Sequence, residues 1–472
     1  MTSGVSVGVP GTLATWEEAL SNWGTTSLRR ALSPSARLAQ NGFRVDETFN
    51  LQVEENAERF AAFPSTSEIY LPAGKPPAVG STFRNPDLAR TYDLIRERGA
   101  RFFYHGDLAG KIARTVQSPP ARPDTDLPIP AGSMTRRDIA RYDVVTRRPT
   151  HVRYRNLDVY GMAPSSSGGT TVGESLNILD NFHLTRERRV RGLHLYLEAS
   201  ARAFADRSAY VGDPAFVDVP TRRLTSSAFA YTRACTIDPQ EAATKPVPPG
   251  KLYGEGCRPS SAGSAKPDSE GLSTTHLSVV DRWGNAVAYT LTIEQTGGSG
   301  IVVPGRGFLL NNELTDFTAE FDKSDPNRIQ PGKRPRSSMS PTIALRAGKL
   351  AYVLGSPGGS TIITTVLQIL INRIDFDMTL LRAVAAPRAS QRNEPDVTAE
   401  QSFIDRYAAS LKPYGHTFVI PGEPGTSASE IGAAAAIEVR PGGRLIAVAE
   451  PTRRGGGDAE VVCALNGDGC IR

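Results

Sequence analysis

The sequence predicts an α+β protein in which antiparallel sheets pack under helices. Three observations carry this prediction. Apolar residues recur at helical spacing through the first half of the chain. Alternating apolar runs closed by tight turns fill the second half. A Pro-, Gly- and Ser-rich stretch at 242–273 separates the two.

In chain order, residues 11–23 follow a Pro-Gly start with apolar residues at helical spacing, and 28–38 continue in the same style. Residues 46–63 and 85–98 read as amphipathic helices, and 107–116 and 135–142 as shorter ones. Residues 151–160 alternate like one strand running into Gly161-Met162-Ala163-Pro164. The run Ser165-Ser166-Ser167-Gly168-Gly169 then leads into a helix over 170–182, and 194–210 is a long alanine-rich helix. Residues 242–273 have little periodicity and read as a linker or mobile loop. Beyond it, 276–281 and 285–293 flank the turn Asp281-Arg282-Trp283-Gly284, while 342–346 and 350–355 flank Ala347-Gly348-Lys349. An apolar helix over 360–374 starts behind Gly358-Gly359, and 433–440 with 444–450 form a third hairpin around Pro441-Gly442-Gly443. No internal repeat is present.

The chain has 472 residues, 39% hydrophobic and 22% charged, which excludes disorder as its main theme. No stretch reaches the ~18 apolar residues of a membrane span, so no integral membrane segment is expected. The 54 Lys+Arg against 49 Asp+Glu leave a net charge of +5. Acids interleave with the arginines at 96–98 and 186–191, and no basic run alternates with stacking aromatics. A solvated mixed-charge surface follows, with no nucleic-acid partner.

Cys235, Cys257, Cys463 and Cys470 form no C-x-x-C, and the six histidines show no paired ligand spacing, so no metal is expected. The cysteines fall as two local pairs, compatible with two disulfides or with four free thiols. Disulfides would point to an oxidising compartment, yet the first residues carry neither a basic n-region nor an apolar h-region.

The strongest chemical signal is where the linker ends, at Ser273, and Thr274 opens a strand. A threonine hydroxyl is a poor nucleophile unless a base takes its proton. Cleaving the chain before it frees an α-amino group for that task. Taken alone, a threonine at a strand start is ordinary β-propensity. Ser356-Pro357-Gly358-Gly359-Ser360-Thr361 lacks the Gly-Lys-Ser/Thr of a phosphate loop.

The runs TTHLSVVDRWGNAVAYTLTIE, GFLLNNELTDF, KRPRSSMSPTI and LGSPGGSTIITTVLQ closely resemble the small subunit of γ-glutamyltranspeptidases. Upstream, MAPSSSGGTTVGESLNIL and ADRSAYVGDPAFVDVP resemble that family's large subunit. The likeness runs from about Ser3 to the C-terminus, with motif order and spacing kept.

The resemblance implies an N-terminal-nucleophile fold, a four-layer αββα sandwich with antiparallel sheets, made as one precursor and self-cleaved without a cofactor. The matching scissile bond is Ser273–Thr274, giving a large-subunit part over 1–273 and a small subunit over 274–472 in one interleaved domain. The implied activity is transfer or hydrolysis of γ-glutamyl groups from glutathione and related amides, with water, amino acids or dipeptides as acceptors. Thr274 would form the γ-glutamyl ester, and Thr292, on the same strand face as Glu294, would tune its amine. Gly358 and Gly359 would supply backbone N–H groups to the oxyanion. Glu294, Glu313 and Asp316 would meet the substrate ammonium. Ser337 and Ser338 would hydrogen-bond its α-carboxylate. Without the resemblance, Glu313 and Asp316 read as solvated turn acids, and the two serines as turn residues.

Two departures from the family pattern stand out. Only residues 317–336 separate Asp316 from Ser337, short for a lid, so the expected site is open. The chain also begins inside the large subunit, and none of its residues matches the family arginine that grips the α-carboxylate. Core elements normally precede this start. At roughly 25 cal/mol per Å², losing several hundred Å² of burial would rival the stability of a domain, so the chain is expected to fold poorly. From the family, a secreted, periplasmic or cell-surface location is expected. A glutaryl- or cephalosporin-type acylase, a poly-γ-glutamate-processing enzyme and a non-catalytic relative are the competing readings.

Overall fold

The helical spacing of the first 147 residues is realised as a succession of short helices, and the first expected corrections lie there. In this computed structural model, residues 2–253, 257, 273–422 and 429–462 are described. They divide into two units, Met1–Arg147 with Leu291–Asp316, and Arg148–Thr290 with Phe317–Arg472. Each unit therefore takes residues from both sides of the Ser273–Thr274 junction.

In the first unit, α1 spans Thr12–Trp23, α2 Ser33–Asn41, α3 Glu47–Glu54, α4 Ala57–Ala61, α5 Pro86–Arg98 and α6 Asp107–Gln117. The helix expected over 28–38 is broken. A single turn, Leu28–Ala31, is capped by the Ser27 hydroxyl, and α2 restarts with Pro34 in its first turn, where a missing N–H costs nothing. The helix expected over 46–63 is also two: Asp46 Oδ1 caps α3 through the Phe49 N–H at 2.7 Å, and Asn56 Nδ2 closes its end on the Gln52 carbonyl at 2.8 Å. On α6, Leu108, Ile112 and Val116 recur every fourth residue and are fully buried among Phe103, Ile139, Val303 and Leu310. Val303 and Leu310 belong to 291–316, so that downstream segment builds this unit's core.

The second unit holds a six-stranded antiparallel sheet. Its strands are β1 Thr150–Tyr154, β2 Leu157–Gly161, β5 Thr342–Arg346, β6 Lys349–Gly355, β7 Ala435–Val439 and β8 Leu445–Ala449, in the order β8-β7-β6-β5-β2-β1. The ladder between β2 and β5 pairs Val159 with Ala344 and Tyr160 with Ile343. A separate two-stranded sheet joins β3 Thr275–Val280 to β4 Ala286–Leu291. The single strand expected over 151–160 is thus a hairpin. Its turn residue Arg155 has φ +54, a conformation in which side chains other than Gly or Asn are rare. The guanidinium pins it there, with Asp375 and Asp180 carboxylates and the Phe182 carbonyl all at 3.0 Å.

The large sheet packs on α7 Gly168–Leu179 and α9 Thr361–Ile374, with α8 Arg189–Tyr210 packed against α7, sharing a core that includes Val159, Leu176, Tyr196, Tyr352 and Ile363. On α9 every residue from Thr361 to Asn372 is buried, as an apolar helix between layers must be. The β3–β4 hairpin lies on the sheet: Ser278 Oγ reaches the Ala435 carbonyl at 3.3 Å, and the His276 ring occupies the space a side chain at Gly355 would need.

Of the linker expected over 242–273, the part at 254–256 and 258–272 lies outside the described residues, and 242–250 is not loose. The Ala242 N–H meets the Tyr414 carbonyl at 2.6 Å, and Val247 exchanges two bonds with the Asn393 amide at 2.7 and 2.9 Å. Glu198 on α8 takes the Ala243 N–H and the Lys245 ammonium. Residues 242–250 are therefore fastened, because α8 presents buried acceptors that propensity alone does not reveal. Cys235 and Cys257 form a disulfide, while Cys463 and Cys470 lie outside the described residues. No helix among the described residues is long and apolar enough to cross a membrane.

Candidate active site

Thr274 immediately precedes β3, and its Oγ donates to the Ser273 carbonyl oxygen, so the hydroxyl sits beside the bond it would cut. Two residues on, His276 fixes the strand: Nδ1 lies 2.7 Å from Thr290 Oγ1 on β4, and Nε2 lies 3.0 Å from Ser278 Oγ. Burial pushes this imidazole down to about 4, so it is neutral at physiological pH. With both nitrogens engaged, it anchors the strand bearing Thr274 and is not placed as a base.

The β6 strand runs from Gly355 into Ser356-Pro357-Gly358-Gly359 and then α9. Gly358 has φ +135 and Gly359 φ +55, and a Cβ on Gly358 would stand 2.7 Å from Thr361 Oγ1. Thr361 Oγ1 donates to the Gly358 carbonyl at 2.7 Å and fixes the turn. Both glycines are buried, and neither amide N–H finds an acceptor among the described residues. Two adjacent unpaired donors at the start of a fourteen-residue helix favour an oxyanion.

Ser337 and Ser338 are buried beside α7 and α8. The Ser337 carbonyl accepts from the Ser167 N–H at 2.7 Å and the Ser167 hydroxyl at 2.8 Å, which gives the Ser165–Gly169 run its local purpose. Ser337 Oγ accepts from the Met339 N–H at 3.2 Å, and Ser338 Oγ accepts from Arg207 Nη2 at 2.8 Å. Both hydroxyls thus accept from the protein, and neither hydroxyl proton has an acceptor among the described residues.

The remaining residues belong to the other unit. β4 ends at Leu291, and Glu294 has φ +78, so Thr292 and Glu294 do not share a strand face as expected. Instead Thr292 Oγ1 accepts the Glu294 N–H at 2.9 Å and stabilises that bend. The buried Glu294 carboxylate accepts from Asn312 Nδ2, while Asn312 Oδ1 takes the Gln295 N–H at 3.3 Å. Glu313 and Asp316 form a 3₁₀ turn held by Thr315, whose N–H and hydroxyl meet the Asn312 carbonyl at 3.0 and 2.8 Å. Asn312 therefore brings Glu294 together with the Glu313–Asp316 turn, a link that sequence spacing did not disclose.

Sequence reasoning also missed Arg59 on α4. Its guanidinium bonds Thr2 Oγ1 at 2.7 Å, Asn56 Oδ1 at 2.6 Å, the Thr296 carbonyl at 3.3 Å and the Gly298 carbonyl. Burial lowers its pKa, and the Glu294 charge opposes that shift. With these bonds made, Arg59 braces the 294–300 loop rather than presenting a free fork to a carboxylate.

His194, Glu198 and His416 bring potential ligand atoms within 4.8 Å of one another. Their capacity is already spent. His194 contacts His416 at 2.9 Å and the Asp238 carbonyl at 2.8 Å, while Glu198 holds Arg202 at 2.8 Å and Lys245. Burial works to raise the Glu198 carboxyl, but Lys245 and Arg202 outweigh it and hold it below its usual value. Two cations on the single acid make this an ion-pair network fastening 238–247, not a seat for a further dication.

A family model described as Gamma-glutamyltranspeptidase matches residues 1–460. The glutathione hydrolase proenzyme of Bacillus subtilis strain 168 is 37% identical over 460 residues, covering 96% of this chain and 75% of that protein. The glutathione hydrolase proenzyme of Escherichia coli strain K12 is 36% identical over 470 residues, covering 96% and 74%. Among solved structures, cephalosporin acylase from Bacillus halodurans superposes with TM-score 0.84 at 26% identity, covering 98% of this chain and 80% of that one. The fold is accordingly that of the N-terminal-nucleophile hydrolases.

Proposed function

The chain belongs to the γ-glutamyltranspeptidase family, and from that premise we propose that it is a self-cleaving γ-glutamyl hydrolase and transferase acting on glutathione and related γ-glutamyl amides. The observation that carries this reading is the Gly358–Gly359 pair: two buried amides with no acceptor among the described residues, at the head of α9 in the unit that also holds Thr274.

In the precursor, Thr274 Oγ attacks the Ser273 carbonyl carbon, and the peptide nitrogen leaves as the Thr274 amine. Water then opens the ester. The freed amine next takes the Thr274 hydroxyl proton as Oγ attacks the γ-carbonyl of the substrate, and returns that proton to the leaving amine. Gly358 and Gly359 hold the oxyanion, Ser337 and Ser338 the α-carboxylate. By the family resemblance Glu294, Glu313 and Asp316 receive the ammonium, and Thr292 stabilises the bend at Glu294. Water or an amino acid or dipeptide accepts the glutamyl group. The two cleavage products, residues 1–273 and 274–472, stay paired. The Cys235–Cys257 disulfide supports an oxidising location outside the cytoplasm.

The likeness to a cephalosporin acylase favours a glutaryl- or cephalosporin-type acylase as the second reading. The test is a denaturing gel with N-terminal sequencing, followed by turnover of γ-glutamyl and glutaryl anilides. We expect fragments of 273 and 199 residues (472 − 273 = 199), a new N-terminus at Thr274, and γ-glutamyl turnover abolished by Thr274→Ala. A single uncut, soluble, inactive chain overturns the enzyme reading, and preference for the glutaryl anilide replaces it with the acylase.

A further inference from the structure

Arg207 lies on α8, three residues before its end, and is buried at 2% exposure. Its Nη2 donates to Ser338 Oγ at 2.8 Å and its Nε to Ser167 Oγ at 2.7 Å. A guanidinium has only donors, so each serine oxygen must accept from it and turn its own proton elsewhere. At Ser167 the outcome is visible, since that hydroxyl donates to the Ser337 carbonyl at 2.8 Å. At Ser338 the proton has no acceptor among the described residues. Ser337, whose oxygen accepts from the Met339 N–H, stands beside it in the same condition. One arginine thus holds the backbone of the Ser337–Ser338 pair through Ser167 and sets the direction of the Ser338 proton.

We propose that Arg207 is a positioning residue for recognition of the substrate α-carboxylate, turning the proton of the Ser338 hydroxyl toward it. This rests on the assignment of Ser337 and Ser338 to that carboxylate made above. A serine free to rotate can donate or accept and so tolerates neutral or cationic groups. One that already accepts from a cation has its proton turned away from that cation and strengthened as a donor by the charge behind it. The pair then selects for an anionic acceptor at the α-carbon and against ligands that lack one.

L-Glutamate and 4-aminobutanoate differ only in the α-carboxylate. Calorimetric titration of both into the processed protein and its variants therefore reads this selection without requiring turnover. We expect the wild type to prefer glutamate, and Ser338→Ala and Arg207→Met each to cut that preference about ten-fold. Their double variant should lose little more, because the two act through one bond. Arg207→Lys, which keeps a cationic donor, should recover part of it. A wild type that binds both ligands equally, or neither, overturns the carboxylate assignment and the proposal with it. Loss of preference in Ser338→Ala but not in Arg207→Met overturns the role of Arg207 alone. Should Arg207→Met not fold, a crystal structure of the wild type with glutamate decides. Ser338 Oγ bridging Arg207 and the α-carboxylate supports the proposal, and a carboxylate bound elsewhere refutes it.

Discussion

Gly358→Ala tests the oxyanion assignment most sharply. The added Cβ would lie 2.7 Å from Thr361 Oγ1, and that hydroxyl cannot swing away without losing its 2.7 Å bond to the Gly358 carbonyl. At φ +135 an L-residue is strained whatever the space, at a cost of about 1–3 kcal/mol. The turn relaxes by rotating the peptide, which swings the amide N–H off the position of the developing oxyanion. Losing one such donor costs about 10²–10³ in kcat, or about 2.7–4 kcal/mol of transition-state stabilisation. The assay is kcat for a γ-glutamyl anilide. Gly348→Ala is the control: Gly348, at φ +74 in the β5–β6 turn, has nothing within 4 Å of its would-be Cβ. That variant should lose about 1 kcal/mol of stability and no activity. A Gly358→Ala enzyme within three-fold of wild-type kcat refutes the reasoning. So does a Gly348→Ala enzyme as impaired as Gly358→Ala.

The partly buried imidazole of His276 makes stability depend on pH. Its folded pKa of about 4 lies below the ~6.5 of the unfolded chain, so the unfolded state binds the proton first. The stabilisation is complete above pH ~6.5 and is lost progressively as pH falls toward 4, by on the order of 3 kcal/mol. Urea melts between pH 7.5 and 4.5 should show a shallower decline in His276→Gln than in wild type, and parallel curves would count against the assignment. The Cys235–Cys257 bridge spans 22 residues, for which loop-closure entropy gives about 3 kcal/mol. Cys235→Ser should lower the melting temperature and abolish its response to reductant; a variant that still responds would place the redox effect elsewhere.

What the sequence disclosed and what it withheld divide along physical lines. The hairpins around Gly284, Gly348 and Gly442–Gly443 announced themselves because their turns use glycine at positive φ. The hairpin between β1 and β2 did not, because its turn is an arginine held open by Asp375, Asp180 and Phe182, more than twenty residues away in sequence. The site followed the same rule. Thr274, Gly358 and Gly359 were assigned because each lies inside a contiguous run of sequence that carries the family resemblance. Arg59, Arg207 and Asn312 were not, since each acts by a side-chain bond to a segment whose position only the fold sets. Glu294 was expected on a strand face and instead sits in a bend at φ +78, past the end of β4 at Leu291.

The six-stranded sheet draws β1 and β2 from before the Ser273–Thr274 bond and β5 to β8 from after it, with the seam at the β2–β5 ladder. In the uncut chain, thermal or chemical unfolding of the sheet can be undone by one chain alone, at a rate indifferent to dilution. After the proposed cut the same ladder would join two molecules, and its recovery would require them to meet. Processing would thus set a point of no return for the fold, leaving the mature protein's persistence to rest on the slowness of its unfolding.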